Sequence, residues 1–349
     1  MEDGSRFEGF SFGSATPRAG EVVFNTAMTG YPESLSDPSY KGQILVSTFP
    51  LIGNYGVPAM RMSNGVAENF ESSLLQVSGL VISDYSFSYS HWNAVMSLSE
   101  WLVQQDVPGI FGVDTRMLTR MLRDKGTMLG KILFEDDIPF YDPNLENLVA
   151  KVSAGEIEEY GSGSHRILLV DCGAKNNIIR SLVKRNATVI RVPWNYEPIG
   201  IPYDGVLLSN GPGDPKQCIA TIDATKRLLQ GDRPVFGICL GSQIMALATG
   251  ADTYKLKYGH RSHNQPVRLT GSNRCFVTSQ NHGYAVDSES LKTGWEPWFV
   301  NLNDGTCEGI KHTKMPFTAV QFHPEASAGP VDTEFLFDEF MKQVEARCR

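Results

Sequence analysis

The chain has 349 residues, 41% hydrophobic and 20% charged, which is ordinary for a packed globular protein and excludes a disordered or fibrous one. That length exceeds what one hydrophobic core supports, so two domains are expected. A formal charge of −8 with no Lys/Arg cluster interleaved with aromatics would repel phosphate backbones and excludes nucleic acid as a partner.

No run approaches the roughly 18 consecutive apolar residues of a membrane span. Met1-Glu2-Asp3-Gly4 is not the basic, then apolar, start of a signal peptide, so a cytoplasmic protein with no membrane association is expected. Strand-like runs at Gly20-Glu21-Val22-Val23-Phe24 and Gly42-Gln43-Ile44-Leu45-Val46 mix with loops and two helices, the pattern of a small α+β domain. One helix carries a capping box, Ser97 with Glu100. The other follows Asp114, places Met117, Leu118, Met121 and Leu122 on one face, and stops near Gly126. Residues 153 to 164 are rich in Gly, Ser and acid and lack either secondary-structure period. The expected division is therefore 1–152, a linker over 153–165, and 166–349.

Beyond that boundary, short apolar strands alternate with amphipathic helices. Ile167-Leu168-Leu169-Val170, a helix near Asn176 to Arg185, Ala187-Thr188-Val189-Ile190, Gly205-Val206-Leu207-Leu208, a helix ending near Gln230, Pro234-Val235-Phe236-Gly237-Ile238 and a further helix form the series. The fold class is α/β: a doubly wound, mostly parallel C-terminal sheet preceded by the smaller α+β domain, with a site at the carboxyl ends of the strands.

The strongest chemical signal is Gly237-Ile238-Cys239-Leu240-Gly241, between a buried strand and a helix that holds Ile244, Met245, Leu247 and Ala248 and stops at Gly250. A sharp strand-to-helix turn leaves room only for glycines two residues either side of its tip, so this is a nucleophile elbow with sulfur in place of oxygen. It predicts an exposed Cys239 at the edge of the sheet. A helix N-terminus favours its thiolate, and the Leu240 amide is placed to donate to an oxyanion. An arbitrary cysteine is more often a small buried residue. The elbow reverses that reading for Cys239, whereas Cys172, Cys218, Cys275, Cys307 and Cys348 lack such a setting. The six cysteines form no CxxC pair, so neither disulfides nor thiolate metal sites are expected.

A thiol nucleophile needs a base. Phe317-Thr318-Ala319-Val320-Gln321-Phe322-His323-Pro324-Glu325 reads as a strand that delivers His323 to its carboxyl end. Residues two apart on extended backbone share a face, so Glu325 reaches the imidazole and fixes its tautomer, giving the triad Cys239, His323 and Glu325. His260 and His263 raise the question of a metal by their spacing, but no nearby cysteine or carboxylate completes a set. They read as loop residues, with no metal and no cofactor expected. His282 also reads as a loop residue, and His91, His165 and His312 have no context.

Together, Gly-Ile-Cys-Leu-Gly and the later His-Pro-Glu resemble the class I, or triad, glutamine amidotransferases. The resemblance extends to Ser209-Asn210-Gly211-Pro212-Gly213-Asp214-Pro215 and Gln280-Asn281-His282-Gly283. Asp171-Cys172-Gly173-Ala174-Lys175-Asn176-Asn177-Ile178 is similar to the opening of the carbamoyl phosphate synthetase small-subunit amidotransferase domain. Phe24-Asn25-Thr26-Ala27-Met28-Thr29-Gly30-Tyr31, Asp37-Pro38-Ser39-Tyr40 and Asp114-Thr115-Arg116 are similar to that subunit's amino-terminal domain.

The resemblance implies that Cys239 attacks the side-chain amide of L-glutamine, with His323 as base and then acid, through a thioester. It implies an oxyanion hole at the amides of Gly211 and Leu240. Ser39, Gly211, Gly213, Leu240, Gln243, Asn281, Gly283 and Tyr284 would form the substrate site, near the domain interface because Ser39 comes from the first domain. The implied partner is a carbamoyl phosphate synthetase large subunit or fused synthetase domain, in pyrimidine or arginine biosynthesis. No Gly-x-x-x-x-Gly-Lys-Ser/Thr run occurs, so this chain itself is not expected to use ATP.

Three departures from the family pattern stand out: Ser242 replaces a larger polar residue, Tyr284 replaces Phe, and the chain opens at a turn the family precedes with a strand. Gly259 to Val267 looks closer to versions from multifunctional eukaryotic pyrimidine enzymes than to bacterial ones, which suggests a domain of a longer polypeptide. The alternatives are an amidotransferase serving another synthase, a non-catalytic regulatory subunit that has lost its triad, and a generic hydrolase with the same elbow. The retained triad argues against the regulatory subunit, and the extra amino-terminal domain against another synthase.

Overall fold

The computed structural model describes residues 1–347, so Cys348 lies outside the described residues. The chain forms two compact units, Met1–Met62 with Ala67–Glu146, and Ser63–Val66 with Asn147–Arg349. Among the described residues, no helix is long and apolar enough to cross a membrane.

The first unit is built on a mixed sheet of β1 (Phe10–Ser11), β2 (Arg18–Asn25), β3 (Gln43–Ser47), β4 (Gly79–Val81), β5 (Gly109–Phe111) and β6 (Met128–Ile132). Its spatial order is β1-β5-β4-β3-β2-β6. Val23, Leu45 and Leu80 from the central strands share a core with Leu98, Trp101 and Leu102 of α1 (Leu98–Gln104). The capping box on α1 is present in both directions: Ser97 Oγ accepts from the Glu100 amide, and the Ser97 amide donates to Glu100. Helix α2 (Thr115–Lys125) starts at Asp114, whose carboxylate accepts from the Met117 amide at 2.8 Å, and ends at Gly126. Only Leu118 and Leu122 of its expected apolar face are buried, while Met117 is exposed. The apolar stripe is narrower than its composition suggests.

The second unit holds a ten-stranded sheet. Its strands are β7 (Glu158–Tyr160), β8 (His165–Asp171), β9 (Ala187–Pro193), β10 (Gly205–Leu208), β11 (Val235–Ile238), β12 (Asp252–Leu269), β13 (Cys275–Asp287), β14 (Trp295–Asn301), β15 (Cys307–His312) and β16 (Phe317–Val320). The order is β7-β9-β8-β10-β11-β16-β15-β13-β12-β14. Strands β9, β8, β10, β11 and β16 pair in parallel, as the βα alternation predicts, while the rest of the sheet is antiparallel. Helices α3 (Asn176–Val183), α4 (Ile219–Leu228), α5 (Leu240–Ala248) and α6 (Phe335–Arg347) belong to the same unit.

Alternation along the parallel strands separates two cores. Ile167, Leu169 and Leu207 face Ile178 and Leu182 of α3 and Phe337 and Phe340 of α6. Leu168, Val170 and Leu208 face Leu228 of α4 and Ile244 and Met245 of α5. Strands covered on both sides read as continuous apolar runs, which is why they were recognisable.

Two sequence expectations change here. The stretch expected as a linker contributes β7, which pairs antiparallel with β9 and is tied to it by Arg191 on Glu158 at 3.0 Å. Three residues at a sheet edge are too few to show a period. The segments around His260, His263 and His282, expected as loops, lie within the long antiparallel pair β12 and β13. Their polar residues face the interior of a site, so they lack the apolar alternation of a half-buried strand.

Candidate active site

Cys239 terminates β11 and caps α5 with φ 53° and ψ −105°, a conformation that L residues rarely adopt. The surrounding structure enforces it. The Cys239 amide donates to the Val320 carbonyl at 2.8 Å, and Ser242 Oγ donates to the Cys239 carbonyl at 2.8 Å. A Cβ on Gly241 would lie 2.2 Å from the Leu208 carbonyl oxygen, and one on Gly237 would meet the Gly241 backbone at 2.8 Å. Neither neighbour is a movable side-chain tip, so the elbow requires both glycines. Gly241→Ala is expected to destabilise the second unit by about 3 kcal/mol and lower its melting temperature by about 10 °C, as read by thermal unfolding.

The expected exposure of Cys239 is corrected: the residue is 2% exposed. Residues of β13 and the segment after β16 close over the sulfur. Its S–H donates to the Asn281 carbonyl at 3.7 Å, and Gln321 Nε2 donates to Sγ at 3.6 Å.

His323 follows β16, and its amide donates to the Ser279 carbonyl at 2.9 Å. Its Nδ1 lies 2.7 Å from Glu325 Oε1, so Nδ1 carries the proton donated to that carboxylate and Nε2 is turned to the other side. Burial would lower the affinity of the imidazole for a proton, but the Glu325 carboxylate and then the Cys239 sulfur outweigh it and raise the pKa to about 10. Nε2 is buried with no hydrogen bond of ordinary geometry, although the thiol is near enough to act on it. Such long contacts are usual before substrate tightens a site.

Burial would raise the pKa of Glu325, but the Lys175 and His323 charges prevail and hold it at about 2. Lys175 Nζ lies 3.2 Å from Glu325 Oε1 and also donates to the Ala326 carbonyl, while Asn177 donates to the Glu325 carbonyl. His263 stands nearby: burial first, then the Lys175 and His323 charges, lower its pKa to about 4 and keep it neutral.

Gly211 and Leu240 also come together. A Cβ on Gly211 would lie 2.8 Å from Leu240 Cδ2 and 2.1 Å from the Cys172 carbonyl oxygen. The first amides of a helix have no partner within it, so the Leu240 N–H at the start of α5 is directed out of the elbow. Gln243 Nε2 donates to the Tyr284 carbonyl at 2.8 Å and to Gln321 Oε1 at 3.0 Å. Asn281, Gly283 and Tyr284 lie along β13, and Gly213, with φ +84°, is in the loop after β10. Ser39 belongs to the first unit, in a turn where its amide donates to Asp37 at 2.9 Å.

Three features escaped the sequence. Lys175 sits in a recognised motif but has no spacing relation to Glu325. Gln321, two residues before His323, carries no sequence signal beyond that of an apolar run's polar member. His260 meets His282 and Glu308 rather than His263, and the potential ligand atoms of these three buried residues all lie within 4.8 Å of one another.

Residues 168–343 match the family model described as glutamine amidotransferase class-I, and residues 1–132 match carbamoyl-phosphate synthase small chain, CPSase domain. The chain is 50% identical to the mitochondrial carbamoyl-phosphate synthase (ammonia) of Homo sapiens, across 99% of this chain and 23% of that protein. It is 48% identical to multifunctional protein ura1 of Schizosaccharomyces pombe, across 99% of this chain and 17% of that one. It is 47% identical to the carbamoyl phosphate synthase arginine-specific small chain of Debaryomyces hansenii, across 99% of this chain and 84% of that one. The chain thus spans about a quarter of the human relative's length and most of the arginine-specific small chain.

Proposed function

This chain belongs to the carbamoyl-phosphate synthase small chains, with a class-I glutamine amidotransferase domain in its second half, and on that premise we propose that it hydrolyses L-glutamine and passes the ammonia to a synthetase. The recipient is a carbamoyl phosphate synthetase large subunit or a synthetase domain of the same polypeptide, in pyrimidine or arginine biosynthesis. The names of the relatives, one a multifunctional protein and one an arginine-specific small chain, support both arrangements. A cytoplasmic location belongs to the same reading.

The observation that carries it is a cysteine held at a strained elbow beside a buried His323–Glu325 pair at 2.7 Å. With His323 protonated, the thiolate of Cys239 attacks the side-chain amide carbon and forms a C–S bond. The amides of Gly211 and Leu240 stabilise the oxyanion. Collapse breaks the C–N bond, and Nε2–H of His323 gives its proton to the departing ammonia. The imidazole, now neutral, takes a proton from water as it attacks the thioester, releasing glutamate and restoring the thiolate. Glu325 holds the tautomer throughout, and Lys175 holds Glu325 ionised. Gln243, Asn281, Gly213, Gly283 and Tyr284 bind the amino-acid end of the substrate.

A glutamine-analogue electrophile tests the assignment directly. Labelling mapped to Cys239, and blocked by excess glutamine, is expected. Labelling of another cysteine, or labelling that glutamine leaves unchanged, would remove the basis of the reading.

A further inference from the structure

A buried charged cluster adjoins the β13 segment that carries Asn281, Gly283 and Tyr284, and the proposed chemistry makes no use of it. His260 and His282 are direct cross-strand partners on β12 and β13, with their rings edge to face at 4.9 Å. Glu308, on β15, is fully buried, and its Oε1 lies 3.3 Å from His260 Nδ1 and 3.9 Å from His282 Nε2. The other nitrogen of His260 lies 2.9 Å from Asp304 Oδ2. Asn301 Nδ2 donates to Glu308 Oε1 at 3.1 Å, while Oε2 has no hydrogen-bond partner.

A carboxylate removed from water needs a matching cation. An imidazole with a carboxylate at each nitrogen has the geometry of an imidazolium that donates both protons, and His260 alone in the cluster has it. His282 faces the Tyr284 carbonyl at 2.8 Å through Nδ1 and the Gln280 side-chain oxygen at 3.2 Å through Nε2, with its nearest carboxylate oxygen, on Glu308, at 3.9 Å. The balance of charge agrees. Burial works against a charged His260, but Glu308 and Asp304 outweigh it and raise its pKa. Burial, then the His260 charge, push His282 well below its ordinary value. Burial raises the pKa of Glu308, and His260 opposes that rise.

The Tyr284 carbonyl that accepts from His282 also accepts from Gln243 Nε2 at 2.8 Å. Gln243 and the neighbouring β13 backbone are the groups assigned above to the amino-acid end of glutamine. We propose that Glu308 and His260 are positioning residues for glutamine, an ion pair that braces His282 and through it fixes the Tyr284 carbonyl and Gln243. The inference rests on the glutaminase reading. Neither residue is placed in contact with the reacting atoms, so the pair acts on substrate binding rather than on the thiol.

The test is steady-state glutamine hydrolysis by the full chain and by Glu308→Gln and His260→Asn, each with thermal unfolding and zinc titration. In each folded variant KM for glutamine is expected to rise about tenfold, with kcat within about twofold of wild type. The double variant is expected to be no worse than the poorer single one, because the two residues act as a unit. An unchanged KM in whichever variant folds would overturn the inference, as would a fall in kcat matching that in kcat/KM. Stoichiometric zinc uptake lost in Glu308→Gln would also overturn it, by making the cluster a metal site. A wild-type chain that hydrolyses no glutamine would overturn the glutaminase reading and this inference with it, whereas an active wild type with unaltered variants overturns this inference alone.

Discussion

Cys239→Ser is expected to lower the rate of glutamine hydrolysis by at least about 10⁴-fold while leaving thermal unfolding within about 1 kcal/mol of wild type. The substitution keeps the size of the side chain and the polar neighbours of Sγ, the Gln321 amide and the Asn281 carbonyl. It preserves the elbow, because the glycines that make room for the turn are untouched. The nucleophile itself is lost. A hydroxyl stays protonated where a thiol ionises, so the ion pair with His323 has no counterpart in the serine variant. Glutamate release measured by a coupled assay decides the matter. Undiminished ammonia release would remove Cys239 from the mechanism. If a synthetase partner is supplied with free ammonia, its own reaction is expected to continue, since only the source of nitrogen is cut.

Glu325→Gln is the second large effect, and it reaches both activity and stability. Glu325 Oε1 accepts a hydrogen bond from His323 Nδ1 at 2.7 Å and faces Lys175 Nζ at 3.2 Å, all within the protein interior. A neutral amide would leave the Lys175 ammonium without its counter-charge, and breaking a buried pair costs about 3–5 kcal/mol. Hydrolysis is expected to fall by about 10² to 10⁴-fold, because the imidazole loses the group that orients it.

The pH dependence follows from the signs of the two shifts. The pKa of Glu325 is depressed from 4.5 to about 2, so its contribution is complete above 4.5 and disappears as pH falls toward about 2. That of His323 is raised from 6.5 to about 10, so its contribution is complete below 6.5 and fades as pH rises toward about 10. Both contributions are complete only between 4.5 and 6.5. Urea unfolding from about pH 2 to pH 4.5, where the Glu325 contribution changes, is expected to show the acid-side slope in wild type and to lose much of it in Glu325→Gln. Identical slopes in the two proteins would show that the pair does not govern acid stability.

The sequence was informative where a local rule fixes the outcome. Parallel strands covered on both faces must be continuously apolar, and a strand-to-helix corner must carry glycines at set positions, so β8, β10, β11 and the Cys239 elbow were legible. Glu325 does lie against His323 as expected, but the strand ends at Val320 and the two meet through a turn closed by the Ala326 amide on the His323 carbonyl at 3.1 Å, not along the extended backbone that a two-residue period presumes. The remainder depended on separations along the chain that carry no period. Lys175 reaches Glu325 across 150 residues, and His260 reaches Glu308 across 48, each placed by sheet order alone. The segment Gln280-Asn281-His282-Gly283 has the composition of a turn, yet it is strand because Gln280, Asn281 and His282 pair antiparallel with Ser262, Arg261 and His260 of β12. Burial of the thiol was missed for the same reason: Asn281 and Gln321 lie over it from elements the elbow motif does not specify.

Strand β16 is the final strand in sequence but sits between β11 and β15 in the sheet. During synthesis from the amino end, the elbow cysteine therefore emerges well before the imidazole that is to share its proton. Until the last strand has been threaded into its slot, the thiol lacks the imidazole as a partner for acid–base exchange. On the proposed mechanism, a chain in which that strand is not yet in place is expected to release no ammonia.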